Sequence, residues 1–139
     1  QRTFHEGLAT LRQLAFGLID INWHMKAQEV ENVGDFEREV MDEMDLYPKV
    51  EGLNFSCSFS HIFDGGYAVG YYGYKWAEVL DADAFKLFQK NGIFHRETAD
   101  KFKSLILERG NSAHPMELYE EFRGGRPTVD ALLERSGLN

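Results

Sequence analysis

Apolar residues recur at three- and four-residue intervals along most of this chain, and glycine or proline follows nearly every such stretch. This spacing places apolar side chains on one face of a helix, and it predicts helices over 6–27, 35–46, 67–90, 97–109, 115–122 and a last one that opens at Pro127 or Thr128. Residues 49–66 lack the helical period, and Phe55, Cys57 and Phe59 alternate there with polar residues as in a short strand or extended segment. We therefore expect an all-α fold of about six helices with one or two short extended segments.

The second predicted helix and its surroundings hold most of the acidic charge of the chain. Asp35 is expected to be the N-cap of this helix. Its buried stripe is expected to consist of Phe36, Val40, Met44 and Tyr47. Residues 29–51 contain nine acidic and two basic residues, which accounts for −7 of the net charge of −8, and we interpret them as a solvated helix face. Because this charge repels phosphate and no basic stripe compensates for it, nucleic-acid binding is not expected.

The length and the single cysteine limit the class of protein further. With 139 residues, the chain is long enough for one domain with a core but too short for two. Its apolar runs are too short to span a bilayer, so a membrane is not an expected partner. Cys57 is the only cysteine, which excludes a disulfide and a Cys-x-x-Cys site, and we expect it to be a small core residue of a cytoplasmic protein. Since residue 1 is Gln rather than Met, we also expect a piece of a longer protein.

Tyrosine is concentrated in one short segment, because four of the six tyrosines lie between residues 67 and 74. If that segment is helical, Tyr67, Tyr71 and Tyr74 are spaced i, i+4 and i+7 and share one face, whereas Tyr72 points elsewhere. One interpretation is that this stripe packs in the core, as aromatic stripes at helical spacing usually do. The other is a binding site, since three buried phenol groups would each need a hydrogen-bond partner.

Glycines surround these tyrosines. Gly70 and Gly73 would lie inside the predicted helix, where each costs roughly 1 kcal/mol relative to alanine, which indicates a close backbone approach. The turn Asp64-Gly65-Gly66 brings His61 near the start of the same helix. One imidazole and up to three phenols would then converge, and neutral donors of this kind suit a peptide carbonyl or a developing oxyanion.

The same segment closely resembles a known family. The matching residues around the tyrosines are His61, Gly65-Gly66-Tyr67, Gly70-Tyr71-Tyr72, Tyr74 and Trp76, continuing as Ala77-Glu78-Val79-Leu80. Further matching segments are Leu11-Arg12-Gln13-Leu14 with Asp20 and His24, Gly92-Ile93-Phe94, Pro115-Met116-Glu117-Leu118 and Phe122-Arg123-Gly124. Together they resemble the thimet oligopeptidase family of zinc metallopeptidases, in particular its bacterial oligopeptidases and peptidyl-dipeptidases. The turns that depart from the usual family residues are Gly110-Asn111-Ser112 and Gly124-Gly125-Arg126-Pro127.

The resemblance implies a role for each residue of the cluster. Tyr67 and Tyr74 match the family's tyrosines that hydrogen-bond the tetrahedral oxyanion, so they are the expected catalytic residues. The expected substrate-binding residues are His61, Tyr71, Gly65 and Gly66. The implied substrates are short peptides.

The zinc motif of the family is missing from this chain. Family members bind zinc through His-Glu-x-x-His plus a downstream glutamate. The segment His5-Glu6-Gly7-Leu8-Ala9 begins like that motif but has Ala9 where the second ligand must be, and the other histidines lack ligand spacing. The resemblance therefore implies that residues 1–139 are a single C-terminal part of the catalytic domain. Zinc would belong to the parent enzyme, this chain would bind no metal, and the isolated chain would be inactive.

The alternative is a non-catalytic helical module that binds peptides or another protein. In the peptidase interpretation, the expected partner of the chain is the remaining N-terminal part of the enzyme. Without that part, apolar surface would be exposed on the 6–27 helix and around the tyrosines. We therefore expect the isolated chain to associate with itself.

Overall fold

The computed structural model describes residues 3–26, 29–45 and 47–138, and all regular secondary structure in these ranges is helical. The helices are α1 (Glu6–Met25), α2 (Val33–Met41), α3 (Gly73–Asn91), α4 (Arg96–Phe102), α5 (Pro115–Arg123) and α6 (Asp130–Ser136). Shorter elements are the 3₁₀ turns Asp42–Met44, Phe55–Cys57 and Ser60–Ile62 and a π-helical continuation of α4 over Lys103–Leu107. The expected all-α class is confirmed. None of these helices is long and apolar enough to cross a membrane.

The chain divides into two compact units, Gln1–Trp76 and Ala77–Asn139. The core of the first unit consists of Ala15, Ile19, Phe36, Met41 and Ile62. In the second unit the buried apolar cluster is Val79, Ala82, Ala131 and Leu132. Ala15 and Ile19 on α1 and Val79 and Ala82 on α3 are spaced four and three residues apart, as expected for the apolar stripe of an amphipathic helix.

Helix α1 confirms the first predicted helix as far as Met25, while residue 27, its predicted end, lies outside the described residues. Ala15 and Ile19 are one turn apart on this helix and are buried at 5% and 0% exposure. Asp20 follows Ile19 directly and is also 0% exposed. A carboxylate in this position needs hydrogen-bond partners, because burying an unpaired charge is costly.

Helix α2 begins earlier than predicted, because Asn32 rather than Asp35 is its N-cap. The side chain of Asn32 accepts a hydrogen bond of 3.1 Å from the backbone N–H of Asp35, which lies in the first turn. Phe36 is buried as predicted, but Tyr47 is 69% exposed, so its assignment to the buried stripe was wrong. The predicted helix end at residue 46 lies outside the described residues.

The short strand predicted around Phe55 does not form. The segment Phe55–Cys57 is a 3₁₀ turn, and the N–H groups of Phe55 and Ser56 donate to the carboxylate of Glu37 at 3.0 and 2.5 Å. Glu37 is only 7% exposed, so this member of the acidic run is not part of a solvated face. Cys57 is exposed, and the expectation of a core cysteine was wrong.

The largest difference from the predicted helices concerns residues 67–72. Helix α3 begins at Gly73, and the preceding residues form turns. Val69 has a φ of 63°, and the N–H of Gly70 donates to the carbonyl of Tyr67 at 2.7 Å. The prediction of one helical tyrosine face was therefore wrong, and Gly70 lies in a turn rather than inside a helix.

Glycines follow three of the later helices, although the helix predicted over 97–109 ends at Leu107 instead of at a glycine. Gly92, Gly124 and Gly137 follow α3, α5 and α6 with φ values of 111°, 83° and 68°, a region that glycine adopts without steric cost.

In the second unit, the buried carboxylate of Asp83 accepts a hydrogen bond from the Tyr119 hydroxyl at 2.6 Å. It also forms an ion pair with the Arg123 guanidinium at 3.1 Å.

Candidate functional site

Four of the predicted site residues meet in the first unit. The ring centroid of His61 lies 5.0 Å from that of Tyr67, 5.5 Å from that of Tyr71 and 6.5 Å from that of Tyr74. The rings of Tyr71 and Tyr74 are 5.1 Å apart. We call these four residues the aromatic wall. The turn before α3 therefore brings together the side chains that the sequence predicted on a helix face.

The members of the aromatic wall differ in their exposure to solvent. Tyr67 and Tyr74 are 41% and 44% exposed, so the core interpretation of the tyrosine stripe does not describe them. Tyr71 is half-buried, and its hydroxyl donates to the side-chain oxygen of Gln13 at 3.0 Å. Tyr71 is thus anchored on α1, while the other two phenols face solvent and are accessible to a ligand.

The two exposed phenols act on each other. The rings of Tyr67 and Tyr74 stack with centroids 5.5 Å apart and an interplanar angle of 20°. The hydrogen bond with the Tyr67 hydroxyl, together with some burial, raises the pKa of Tyr74 to about 12. At neutral pH the Tyr74 phenol keeps its proton and can donate it in a hydrogen bond to a negatively charged oxygen.

The turn before the aromatic wall places His61. Gly65 and Gly66 both have positive φ, 70° and 76°, and the N–H of Gly65 donates to the Asp64 carboxylate at 2.7 Å. A Cβ on Gly65 would lie 3.4 Å from the ring of Tyr67. The two glycines therefore allow a reversal of the chain that leaves the rings of His61 and Tyr67 in contact.

A second layer of aromatic rings supports Tyr71 and His61. Phe59 lies 4.9 Å from Tyr71 and 5.3 Å from His61, measured between ring centroids. Phe16 of α1 lies 5.1 Å from Phe59 and 5.8 Å from Tyr71. This packing holds the inner side of the aromatic wall against α1.

Sequence reasoning assigned no contact with the tyrosines to Gln13, Phe16, Asp20 and Phe59, although Gln13 and Asp20 belong to the segments that resemble the family. Asp20 accepts hydrogen bonds from the N–H groups of Val69 and Tyr71 at 3.1 and 3.0 Å. A signal for it was present, because a charged residue directly after Ile19 on an apolar stripe is unusual unless it is paired. The contacts of Phe16 and Phe59 had no such signal, since both residues look like ordinary core residues.

The described residues do not fit a metal site. No group of three or more His, Cys, Asp or Glu side chains in residues 3–26, 29–45 and 47–138 could hold a metal ion. His5 is exposed, and the ring of His24 is hydrogen-bonded to the carbonyl oxygen of Ile62 at 2.7 Å. The chemistry of this part of the chain is that of neutral hydrogen-bond donors on an aromatic surface.

The chain is similar in sequence to known oligopeptidases and to a dipeptidyl carboxypeptidase. Oligopeptidase A of Salmonella typhimurium is 43% identical over 139 residues, which cover 99% of this chain and 20% of that protein. Probable cytosolic oligopeptidase A of Arabidopsis thaliana is 41% identical over 143 residues, covering 99% of this chain and 20% of that protein. Dipeptidyl carboxypeptidase of Salmonella typhimurium is 37% identical over 140 residues, covering 98% of this chain and 20% of that protein.

The chain thus spans about a fifth of the length of these curated relatives. The model of peptidase family M3 matches residues 1–138. Both findings agree with the resemblance carried by the segment from His61 to Leu80, and the resemblance to thimet-type peptidases is confirmed. The chain belongs to peptidase family M3.

Proposed function

We propose that this chain is the substrate-binding and oxyanion-stabilising part of a zinc-dependent oligopeptidase that hydrolyses short peptides. One observation supports this above all: Tyr67, Tyr74 and His61 form a partly exposed aromatic surface that carries hydrogen-bond donors. The rest of the catalytic domain would be contributed by polypeptide outside residues 1–139, in agreement with the short span of the match to the relatives. The name of the probable cytosolic oligopeptidase A of Arabidopsis thaliana supports a cytoplasmic location, whereas that of the organellar oligopeptidase A of the same plant does not.

The geometry suits the stabilisation of a tetrahedral intermediate. Attack of water on a peptide bond places negative charge on the carbonyl oxygen, and donors fixed in advance lower the energy of that charged state. Tyr67 and Tyr74 would donate to this oxygen, because their rings stack side by side and both side chains are partly exposed. A neutral phenol suits this task, since it stabilises charge only as the charge develops.

The other residues of the site would bind the substrate. His61 and Tyr71 offer ring nitrogens and an aromatic face to the peptide backbone, next to the two catalytic phenols. Gly65 and Gly66 are exposed and lack side chains, so an extended peptide backbone can approach the turn closely.

Zinc and the general base would be held by residues outside this chain. Zinc in such enzymes is bound by histidine and glutamate side chains, and the described residues offer no group that could do this. The isolated 139-residue chain is therefore expected to leave a quenched fluorescent peptide uncleaved. Zinc-dependent cleavage by the pure chain would contradict the proposal that the zinc ligands and the general base lie outside this chain.

The oxyanion role is tested in the enzyme assembled from this chain and the rest of its catalytic domain. Tyr74→Phe should lower kcat by on the order of 10²–10³ while KM changes little, because the lost donor acts in the transition state. Tyr72→Phe is the matched control, since Tyr72 is 56% exposed and should keep kcat near its original value.

Two results would overturn the proposal. A raised KM with an unchanged kcat in Tyr74→Phe would mean that the phenol binds the ground state and the transition state equally and does not lower the barrier. Peptide binding by an assembled protein that never cleaves would instead support the alternative of a non-catalytic binding module.

A further inference from the structure

The buried carboxylate of Asp20 has no part in the proposed chemistry, yet both of its oxygens are used. Its Oδ1 accepts the N–H of Val69 at 3.1 Å, and its Oδ2 accepts the N–H of Tyr71 at 3.0 Å. Asp20 is 0% exposed. These bonds reach across 49 and 51 residues of sequence, so they attach α1 to the turn that precedes α3.

The turn that Asp20 holds is a strained one. Val69 has a φ of 63°, and among the described residues only His5 shares a positive φ without being glycine. A β-branched residue rarely adopts this conformation, and such strain persists only where the surroundings impose it. The N–H groups of Val69 and Tyr71 both donate hydrogen bonds to Asp20, and these two bonds supply that constraint.

Asp20 also connects to the other side of the aromatic wall. The Nε2 atom of His24 lies 3.6 Å from Oδ1 of Asp20 and 2.7 Å from the carbonyl oxygen of Ile62. Ile62 follows His61 directly in the 3₁₀ turn Ser60–Ile62. One turn of α1 therefore contacts the backbone beside His61 and the backbone of Tyr71.

We propose that Asp20 is a positioning residue, which sets the aromatic wall by binding the backbone of the Val69–Tyr71 turn and, through His24, the backbone beside His61. Its value for catalysis rests on the proposed function, but the positioning itself is a property of this chain. Without the carboxylate, the turn should lose its strained conformation, and Tyr67 and Tyr71 should lose their fixed places beside Tyr74.

The test uses the 139-residue chain and amide hydrogen exchange by NMR. In Asp20→Asn, exchange at the amides of Val69 and Tyr71 should speed up by about tenfold or more, because one oxygen becomes an amide donor and the charge is lost. The titration of Tyr74, followed at its Cζ carbon, should move back toward its ordinary value as Tyr67 moves away. A purely structural residue would not shift that titration without unfolding the chain.

Glu37→Gln is the matched control, because Glu37 is also a buried carboxylate that accepts two backbone N–H groups, those of Phe55 and Ser56. It should speed exchange at those two amides and leave the amide of Tyr71 and the titration of Tyr74 unchanged. If both variants change Tyr71 and Tyr74 equally, the positioning role of Asp20 is wrong.

Two further measurements keep the inference testable if Asp20→Asn does not fold. In the unaltered chain, the amides of Val69 and Tyr71 should exchange as slowly as those in the middle of α1, and fast exchange would overturn the inference. Val69→Gly should keep the bond to Asp20 and raise the unfolding temperature, since glycine tolerates the positive φ. A lower unfolding temperature would contradict an imposed strain.

The outcomes distinguish this inference from the proposed function. In the assembled enzyme, Asp20→Asn should lower kcat more than it raises KM if both are right. If the amide results hold but Tyr74→Phe leaves kcat unchanged, the positioning role stands and the catalytic role falls. If Tyr74→Phe lowers kcat and the amides of Val69 and Tyr71 are unaffected by Asp20→Asn, the catalytic role of Tyr74 stands and the positioning role of Asp20 falls.

Discussion

Tyr67 and Tyr74 are neighbours whose hydroxyls interact although both side chains are more than 40% exposed. Their rings stack with centroids 5.5 Å apart, and the Tyr67 hydroxyl raises the pKa of Tyr74 to about 12. The consequence is measurable, because a phenol that donates a hydrogen bond to its neighbour holds its proton more tightly than a free one.

The first prediction concerns the titration of Tyr74. Its pKa is raised from 10.0 to about 12, with the hydrogen bond to Tyr67 as the largest cause. Because the folded state holds this proton more tightly than the unfolded chain, the stabilising effect is complete below pH 10 and is lost as pH rises to about 12. Tyr67→Phe should move the titration back toward 10.0, as measured by NMR of the tyrosine Cζ carbon.

Tyr72→Phe controls for the loss of a tyrosine as such. Tyr72 has no ring contact with the aromatic wall among those found in the described residues, so the pKa of Tyr74 should stay near 12 in this variant. A pKa of Tyr74 that is the same in Tyr67→Phe and in the unaltered chain would rule out the hydrogen bond as its cause.

The second prediction concerns Tyr119 in the second unit. Burial and the hydrogen bond to Asp83 raise the pKa of the Tyr119 phenol, so its contribution to stability is complete below pH 10 and lost above it. Tyr119→Phe should lower the free energy of unfolding at neutral pH by about 1–3 kcal/mol, because the buried Asp83 loses a donor. Denaturant unfolding measures this.

Arg123 still pairs with Asp83 in that variant, at 3.1 Å, so the loss should stay at the lower end of the range. Tyr47→Phe is the control, since Tyr47 is 69% exposed and its change should be within about 0.5 kcal/mol. Equal losses in the two variants would mean that the Asp83 bond contributes nothing.

At the scale of elements, local sequence signals predicted which segments form helices more accurately than the residues at which those helices begin. The ends of α3, α5 and α6 follow from glycines that adopt positive φ. The starts of α2 and α3 differ from prediction for separate reasons. Asn32 competes with Asp35 as the cap of α2, and the backbone before Gly73 is bound to Asp20 instead of continuing a helix.

The third prediction tests the cap of α2. Asn32→Ala should lower the free energy of unfolding by about 1 kcal/mol, because the N–H of Asp35 loses its side-chain acceptor. Asp35→Ala should cost less, since its ion pair with Arg38 is exposed and surface pairs contribute little. Thermal or denaturant unfolding compares the two, and a larger loss at Asp35 would restore the sequence-based assignment of the cap.

At the scale of the whole molecule, large apolar side chains remain exposed in the described part of the chain. On α1, Leu14 and Leu18 are 45% and 42% exposed and lie one turn apart. We propose that the remaining part of the catalytic domain covers this face in the parent enzyme. In its absence, exposed apolar area of this kind favours association.

The fourth prediction is that the isolated chain associates as its concentration rises. Sedimentation should show dimers or larger species, and the double variant Leu14→Gln, Leu18→Gln should weaken the association at least severalfold. Phe94→Ser serves as the control, because Phe94 is 98% exposed but lies in the second unit. A monomer at all concentrations would contradict the prediction.

Local sequence signals indicated the helical class and the glycines that follow α3 and α6, and the resemblance named the candidate site residues. Helical period and glycine caps act within a few residues, so they are readable without tertiary structure. The resemblance in the segment from His61 to Leu80 likewise depended only on residue order. The roles implied for His61, Tyr67, Tyr71 and Tyr74 stay predictions until the variants are measured.

How these residues meet depends on contacts between segments that are far apart in the sequence. The sequence predicted a helix through Tyr67 and a strand at Phe55, and both predictions failed where a buried carboxylate binds backbone N–H groups from a distant segment. Asp20 binds Val69 and Tyr71, and Glu37 binds Phe55 and Ser56. Such bonds join residues 18 to 51 positions apart, and their strength in a dry interior exceeds the small energies of local propensity.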